Sequence, residues 1–351
     1  MNTYKLPVSV LMLVSVLLSA CAPAATPPVP TAVPPISAPT IAPTDEVSIT
    51  PPTAKVIAEW EVANPSGVFI GFDSVWVPGH HDKTTTRIDP DTNKVIAVIQ
   101  GTGWRAEPAL AVGDVLWVTG QLNDTTWIDP KTNTVTKTVP PVKGSLHSIA
   151  YGFNSLWFTT GDNKLNRVDP ATSQIITSIK LEDGSQDINN GVFVTTAAVW
   201  VYQPDKAEVI KIDPATNSVV SKTPWITLID EAKAQTIIPA GKGTDFLWIS
   251  VAGDEGGGGI PAGLLRIDPI TGAGLTFLPL SAPQLGTIAV TDNAVWVAGS
   301  SQINRVNVAT NQIDATYVTD PGAIQCIVIG FGSVWVVNYQ LNLVQRLDIA
   351  P

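Results

Sequence analysis

The stretch Ser74-Val75-Trp76-Val77, followed by Arg87-Ile88-Asp89-Pro90, decides the fold, because the chain repeats it. The first half returns as Val115-Leu116-Trp117-Val118, Ser155-Leu156-Trp157-Phe158 and Ala198-Val199-Trp200-Val201. It returns again as Phe246-Leu247-Trp248-Ile249, Ala294-Val295-Trp296-Val297 and Ser333-Val334-Trp335-Val336. The Trp-to-Trp gaps are 41, 40, 43, 48, 48 and 39 residues. The second half follows each Trp as Trp127-Ile128-Asp129-Pro130, Arg167-Val168-Asp169-Pro170, Lys211-Ile212-Asp213-Pro214 and Arg266-Ile267-Asp268-Pro269. It decays to Arg305-Val306-Asn307-Val308 and Arg346-Leu347-Asp348-Ile349 in the last two copies. Periods of about 40 to 50 residues with strand-like content indicate a β-propeller or a solenoid.

Each unit reads as four short strands. In the third copy these are His147 to Tyr151, Ser155 to Thr159, Lys164 to Val168 and Ile175 to Leu181. A Gly152-Phe153-Asn154 turn separates the first pair, and Asp169-Pro170-Ala171-Thr172 separates the last, with Pro where a fixed φ suits a turn. Alternation and β-branched residues support strands over helices. The seventh unit ends after its third strand, whereas Thr53 to Trp60 resembles the fourth-strand segment Thr92 to Ile99. The N-terminal segment therefore completes the last unit, which removes a long unpaired edge. A solenoid has no reason to omit a strand at one end and carry it at the other. The expectation is an all-β fold: a seven-bladed β-propeller of four-stranded antiparallel blades, closed by the N-terminal strand. The repeated Trp then packs between sheets, and the repeated Asp-Pro is a turn device.

The 351 residues are 44% hydrophobic, enough for a large core, and only 14% charged. Thirty acids against 20 bases argue against nucleic acid and against electrostatic docking on anionic lipid, since both need clustered Lys and Arg. Residues 1–20 carry one charged side chain, Lys5, before an apolar run from Leu6 to Leu18, too short to span a bilayer but suited to a signal peptide. Leu18-Ser19-Ala20-Cys21 resembles a bacterial lipobox, which implies cleavage before Cys21 and acylation of its thiol and new α-amine. Several acyl chains make a stable anchor. From Ala22 to Thr53, ten of 32 residues are Pro, an extended spacer. The expected organisation is a signal peptide in 1–20, a lipidated Cys and linker in 21–53 and a propeller in 54–351. The expected place is the extracytoplasmic cell envelope, membrane-bound through the lipid only.

Several chemical signals fail on spacing. Asp89-Pro90-Asp91-Thr92-Asn93 opens like a calcium loop but has Lys94 and Gln100 where Gly and Glu belong. Gly256 to Gly259 and Gly241-Lys242-Gly243-Thr244 do not make a phosphate cradle, and no Gly-x-Ser-x-Gly elbow is present. His80-His81-Asp82 could supply two metal ligands with an acid behind them, but adjacent His side chains point apart on a strand and the one other His is His147, so the segment reads as a solvated loop. Cys326, in a strand from Ile324 to Ile329, reads as a small buried hydrophobe. No metal and no cofactor are expected.

What departs from the repeat is more informative. In a propeller, connections from fourth to next first strand share a rim with those from second to third. That rim collects Trp104, Arg105, Glu107, Lys143, His147, Trp225 and Tyr339 as ligand-binding candidates. His80, His81, Asp82, Asp187, Asn189, Gln203, Asp254, Glu255 and Asn338 fall there too. Two insertions, Trp225 to Ala240 and Ala252 to Gly263, enlarge it and account for the two longest gaps. Loops on a rigid scaffold are where binding residues concentrate.

The pattern Gly-x-x-Ser-Val-Trp-Val, then Arg-Ile-Asp-Pro-x-Thr-Asn-x-Val, resembles the YVTN and virginiamycin B lyase-like group of bacterial propellers over about residues 54–351. The resemblance implies the fold; the group includes lyases, surface proteins and binders. The lyase's catalytic His and Glu with magnesium have no full match here, since no second His accompanies His147. The expectation is a monomeric, non-catalytic binding or interaction propeller for a cell-surface glycan, peptide or protein. The alternative is a lyase- or hydrolase-like enzyme at the channel mouth, with His147 and Glu107 as its acid-base pair.

Overall fold

The computed structural model describes residues 53–102, 109–120, 125–139, 146–181, 190–203, 206, 208–224, 237–240, 247–251, 262–280, 285–299, 302–319 and 324–348. The chain divides into a unit of residues 1–49 and a unit of residues 50–351, and every described residue lies in the second.

The described residues form seven antiparallel four-stranded sheets. Blade 1 is β2 (Phe69–Gly71), β3 (Ser74–Pro78), β4 (Thr84–Asp89) and β5 (Lys94–Gln100), and blade 2 is β6 (Ala109–Val112), β7 (Val115–Thr119), β8 (Thr125–Asp129) and β9 (Thr134–Val139). Blade 3 is β10 (Leu146–Gly152), β11 (Ser155–Thr160), β12 (Lys164–Val168) and β13 (Ile175–Lys180); blade 4 is β14 (Gly191–Val194), β15 (Val199–Gln203), β16 (Glu208–Asp213) and β17 (Ser218–Pro224). Blade 5 is β18 (Ile237–Ala240), β19 (Leu247–Val251), β20 (Gly263–Ile267) and β21 (Gly274–Pro279); blade 6 is β22 (Leu285–Val290), β23 (Ala294–Gly299), β24 (Gln302–Asn307) and β25 (Gln312–Val318). Blade 7 is β26 (Ile324–Gly330), β27 (Ser333–Asn338) and β28 (Leu343–Asp348), with β1 (Lys55–Glu61) as its outer strand. β1 pairs antiparallel with β28 from Lys55↔Asp348 to Glu61↔Leu343, so the ring closes with the N-terminal strand, as the repeat arithmetic requires. The four strands expected in the third copy are found within a residue of their read ends. The insertion read as Trp225 to Ala240 is shorter than expected, since its last four residues are β18, the innermost strand that blade 5 needs. Gly263 likewise opens β20 rather than closing a loop.

Seven apolar clusters of described residues lie one at each junction between consecutive blades, including the junction of blade 7 with blade 1. Each repeated Trp faces forward into the next blade: Trp76 joins the 1–2 cluster, Trp157 the 3–4 cluster and Trp335 the 7–1 cluster. Trp76, Trp157, Trp200, Trp248 and Trp335 are fully buried. At about 150–250 Å² each, such a Trp contributes at most about 4–6 kcal/mol of burial per blade.

The second half of the repeat is a clasp that the sequence did not disclose. The Arg or Lys pairs across the ladder with the Trp, as in Trp157↔Arg167, and lies over its ring at 4.9 Å. Arg167 then reaches the third-to-fourth-strand turn of the next blade, donating to Pro214 O at 2.7 Å and Asn217 Oδ1 at 2.8 Å. Arg346 clasps Pro90 and Asn93, closing the ring at the 7–1 junction, and Arg87 clasps Pro130 and Asn133. Burial lowers the Arg87 and Arg266 guanidinium pKa from the usual value. The receiving Asn has positive φ in each case (Asn93 54°, Asn133 56°, Asn217 56°), a conformation Asn tolerates. The repeated Asp shapes that turn: Asp169 Oδ1 accepts from Ala171 N–H at 2.8 Å. These bonds hold the carboxyls below the ordinary range. For Asp89 the Thr92 hydroxyl is the first cause; for Asp129, Asp169 and Asp213 it is the N–H group two residues on.

The Gly-Phe-x-Ser signature of blades 1, 3 and 7 has the same purpose. Its Gly carbonyl accepts the Trp indole N–H (Trp76 to Gly71 O, 2.8 Å), its Ser hydroxyl accepts from Arg Nε, and its Phe carbonyl accepts from Nη2. Phe72 and Asp73, both at φ 51°, make the mirror-image two-residue turn that matches strand twist.

Candidate functional site

All of these clasps sit toward the end of the blades where the first-to-second and third-to-fourth turns lie. The described residues that depart from the repeat, among them His80, His81, Asn163 and Tyr339, lie at the opposite rim. Trp104, Arg105, Glu107, Lys143 and Trp225 lie outside the described residues, as do Asp187, Asn189, Asp254, Glu255 and Cys21. His147 is the second residue of β10, innermost in blade 3, where the register with β11 shifts between Leu146 and Ser148. Two groups of rim residues are described.

The first spans the 7–1 junction. His80 and His81 follow β3, and Tyr339 follows β27. The Nδ1 of His80 lies 2.9 Å from the Nε2 of His81, with ring centres 4.3 Å apart and planes at 86°. Tyr339 meets His80 edge-on at 5.7 Å. The histidines therefore do not point apart as a regular strand requires, because β3 ends at Pro78 and the chain turns out of the ladder. The turn is fixed from below. Gly79 N–H donates to Thr84 O at 2.8 Å, and His80 N–H to Asn64 O at 2.6 Å. Asn64 N–H donates to Asn342 Oδ1 at 3.0 Å, tying the incoming strand to blade 7. Buried Asn338 accepts from Leu341 N–H at 3.1 Å, shaping the loop that carries Tyr339.

The second group lies between blades 3 and 4. Asn163 Oδ1 accepts from Asn190 Nδ2 at 3.1 Å and from Gln203 Nε2 at 3.0 Å. Thr159 donates to Asn190 O at 2.5 Å. All four residues are buried, and Asn190 Oδ1 and Gln203 Oε1 have no partner among the described residues. At the edge of this network Asp162 accepts from Thr160 and pairs with Lys164. Burial pushes the Asp162 carboxyl up, but the bonds from Lys164 and Thr160 outweigh it and hold the group below its ordinary value. Sequence reading placed Gln203 on the rim but missed Asn163 and Asn190; the one local signal was the Gly161-Asp162-Asn163 turn, where Asn163 has φ 58°.

Among the described residues no three His, Cys, Asp or Glu side chains converge. Cys326 is half-buried rather than fully buried; its thiol faces Ser66 O at 3.5 Å from the innermost strand β26.

No family model matches the sequence, and no curated protein matches it. Solved structures do share the fold. A chain of hydrazine synthase from Kuenenia stuttgartiensis superposes with a TM-score of 0.69 at 12% identity, covering 84% of this chain and 98% of that one. Virginiamycin B lyase from Staphylococcus aureus gives 0.63 at 17% identity, covering 85% and 100%. BamB from Moraxella catarrhalis gives 0.53 at 13%, covering 81% and 84%. Similarity at this level concerns architecture.

Proposed function

We propose that this protein is a lipid-anchored, extracytoplasmic binding propeller whose rim at the second-to-third and fourth-to-first connections recognises a cell-surface glycan, peptide or protein. One observation carries the reading. The repeated side chains are consumed in blade-to-blade clasps at one end, while the described non-repeated side chains of the His80, His81 and Tyr339 group gather at the other. Binding residues belong on loops held by such a scaffold. The strand ends that flank residues 225–236 and 252–261 lie at this same rim.

The test is a thermal-shift series on the full chain with defined glycans and peptides. Ligand at about 100 times its Kd stabilises by about 2.7 kcal/mol. A ligand-induced rise in Tm that disappears in the Tyr339→Ala and His81→Ala variants supports the rim. A rise that survives both but disappears on Asp91→Ala, on the opposite turns, overturns it. The fold shared with virginiamycin B lyase favours a second reading, catalysis at the channel mouth through His147 and Glu107. Consumption of virginiamycin B that is lost in His147→Ala supports that reading over the first.

A further inference from the structure

We propose that Pro51 and Pro52 seat in an apolar groove at the junction of blades 6 and 7. The groove exists because two separate segments replace the third-to-fourth turn of blade 7: β28 ends at Asp348 and β1 begins at Lys55. In blades 1, 2 and 4 that turn receives the clasp of the preceding blade, with Asn93, Asn133 and Asn217 as side-chain acceptors. In the sequence Thr53-Ala54-Lys55 matches Thr92-Asn93-Lys94, so Ala54 stands in the acceptor's place with no polar side chain to offer. Arg305 pairs with Asp314 instead. A groove of about 190 Å³ is left. Its walls include Trp296 and Tyr317 of blade 6, stacked at 6.3 Å, Val334 and Leu347 of blade 7, and Ala54, with Asp348 as the one charged residue.

The course of the incoming chain names the occupant. Pro51 and Pro52 lie outside the described residues, but the next two residues do not. Thr53 bridges Val318 in parallel, and Ala54 N–H donates to Val318 O at 2.7 Å. A parallel pair keeps step, so continuing it upstream places Pro52 beside Tyr317, in the groove wall, and Pro51 beside Thr316. Residues 50–52 also belong to the propeller's unit of the chain and not to the unit of residues 1–49.

The chemistry matches the place. β25 is the outer strand of blade 6, and an outer edge is where a sheet tolerates Pro, which has no N–H for the ladder. Pro rings cover apolar surface, leave no donor unpaired and lose little freedom because φ is already fixed. Aromatic-lined grooves are a recurrent seat for extended Pro segments. The seat does not depend on what the rim binds.

The test is a disulfide across the expected register, in the full chain carrying Cys21→Ser and Cys326→Ser. Pro51→Cys with Thr316→Cys is expected to crosslink under mild oxidation about tenfold or more faster than Pro51→Cys with Ser178→Cys. Ser178 holds in blade 3 the place of Thr316 in blade 6, since each pairs with the matching Asn of the third strand. Thermal melts of the reduced pairs establish that both are folded. Equal rates overturn the proposal. So does fast crosslinking of Ile349→Cys to Thr316→Cys in place of Pro51→Cys, which gives the groove to residues 349–351. A second measurement needs no new bond: Pro51→Gly with Pro52→Gly is expected to lower Tm in the wild-type chain and to add nothing in Tyr317→Ala. Additive shifts count against the seat.

Discussion

At the residue scale, the repeat is a set of bonds to the next blade rather than a set of buried side chains alone. Blade 2 shows this by departing from it. Trp127 stands where the Arg belongs and packs on Trp117 at 4.7 Å. The cation moves one strand outward: Lys137 pairs across from Trp127, lies over its ring at 4.2 Å and donates to Ser173 Oγ, in the next blade's turn, at 3.1 Å. Blade 6 offers a second internal substitution, since Asn307 Oδ1 accepts from Ala309 N–H at 2.9 Å in the role of the repeated Asp. The Asp carboxyls of the other turns have depressed folded pKa values, so the stability they contribute is present above the unfolded value of about 3.9 and is lost as pH falls through the lower folded values. Asp169→Asn is therefore expected to fold normally at neutral pH and to flatten the fall of Tm below about pH 4, measured by acid titration of thermal melts. The Trp and Asp-Pro spacing made the turns legible in the sequence. The Arg-to-turn bonds were not, because their partners lie about one period away and are neighbours only once the sheets stand side by side.

At the element scale, blade 7 differs from the rest because its third-to-fourth turn does not exist; β28 ends at Asp348 and β1 begins at Lys55. Arg305 of blade 6, which should reach that turn, instead pairs with Asp314 of its own blade. Urea unfolding should register the difference. Arg167→Ala removes part-buried bonds to two carbonyl oxygens, Ser155 and Asn217, and is expected to cost about 2–3 kcal/mol. Arg305→Ala removes an ion pair within one sheet and is expected to cost about 0–1 kcal/mol. Equal costs would mean that the clasp does not join blades. The 7–1 junction compensates on the other side of the same strand. Trp60 of β1 stacks on Trp335 at 5.5 Å and donates to Asn93 O at 3.4 Å, in blade 1.

At the scale of the whole molecule, blade number and closure were legible because both follow from counting periods and finding one strand displaced to the other end. The rim was legible only as a location. Loop residues answer to a partner and not to the repeat, so no periodicity predicts that His80 and His81 are hydrogen-bonded to each other or that Asn163 gathers two amides. The envelope assignment rests on residues 1–53 and has its own measurement. Mass spectrometry of the membrane fraction is expected to find a mature N-terminus at acylated Cys21, and Cys21→Ser is expected to release the protein; an unmodified N-terminus elsewhere counts against the anchor. The displaced strand also makes the propeller sensitive to tension. Any pull transmitted from residues 1–52 arrives at Thr53, meets its bridge to Val318 and the Ala54-to-Val318 bond, and then the Lys55↔Asp348 pair. Because β1 is the outer strand of its sheet and the one the tether enters directly, such a pull is expected to detach it before the inner strands, which single-molecule pulling from the N-terminus would read as an early, separate step.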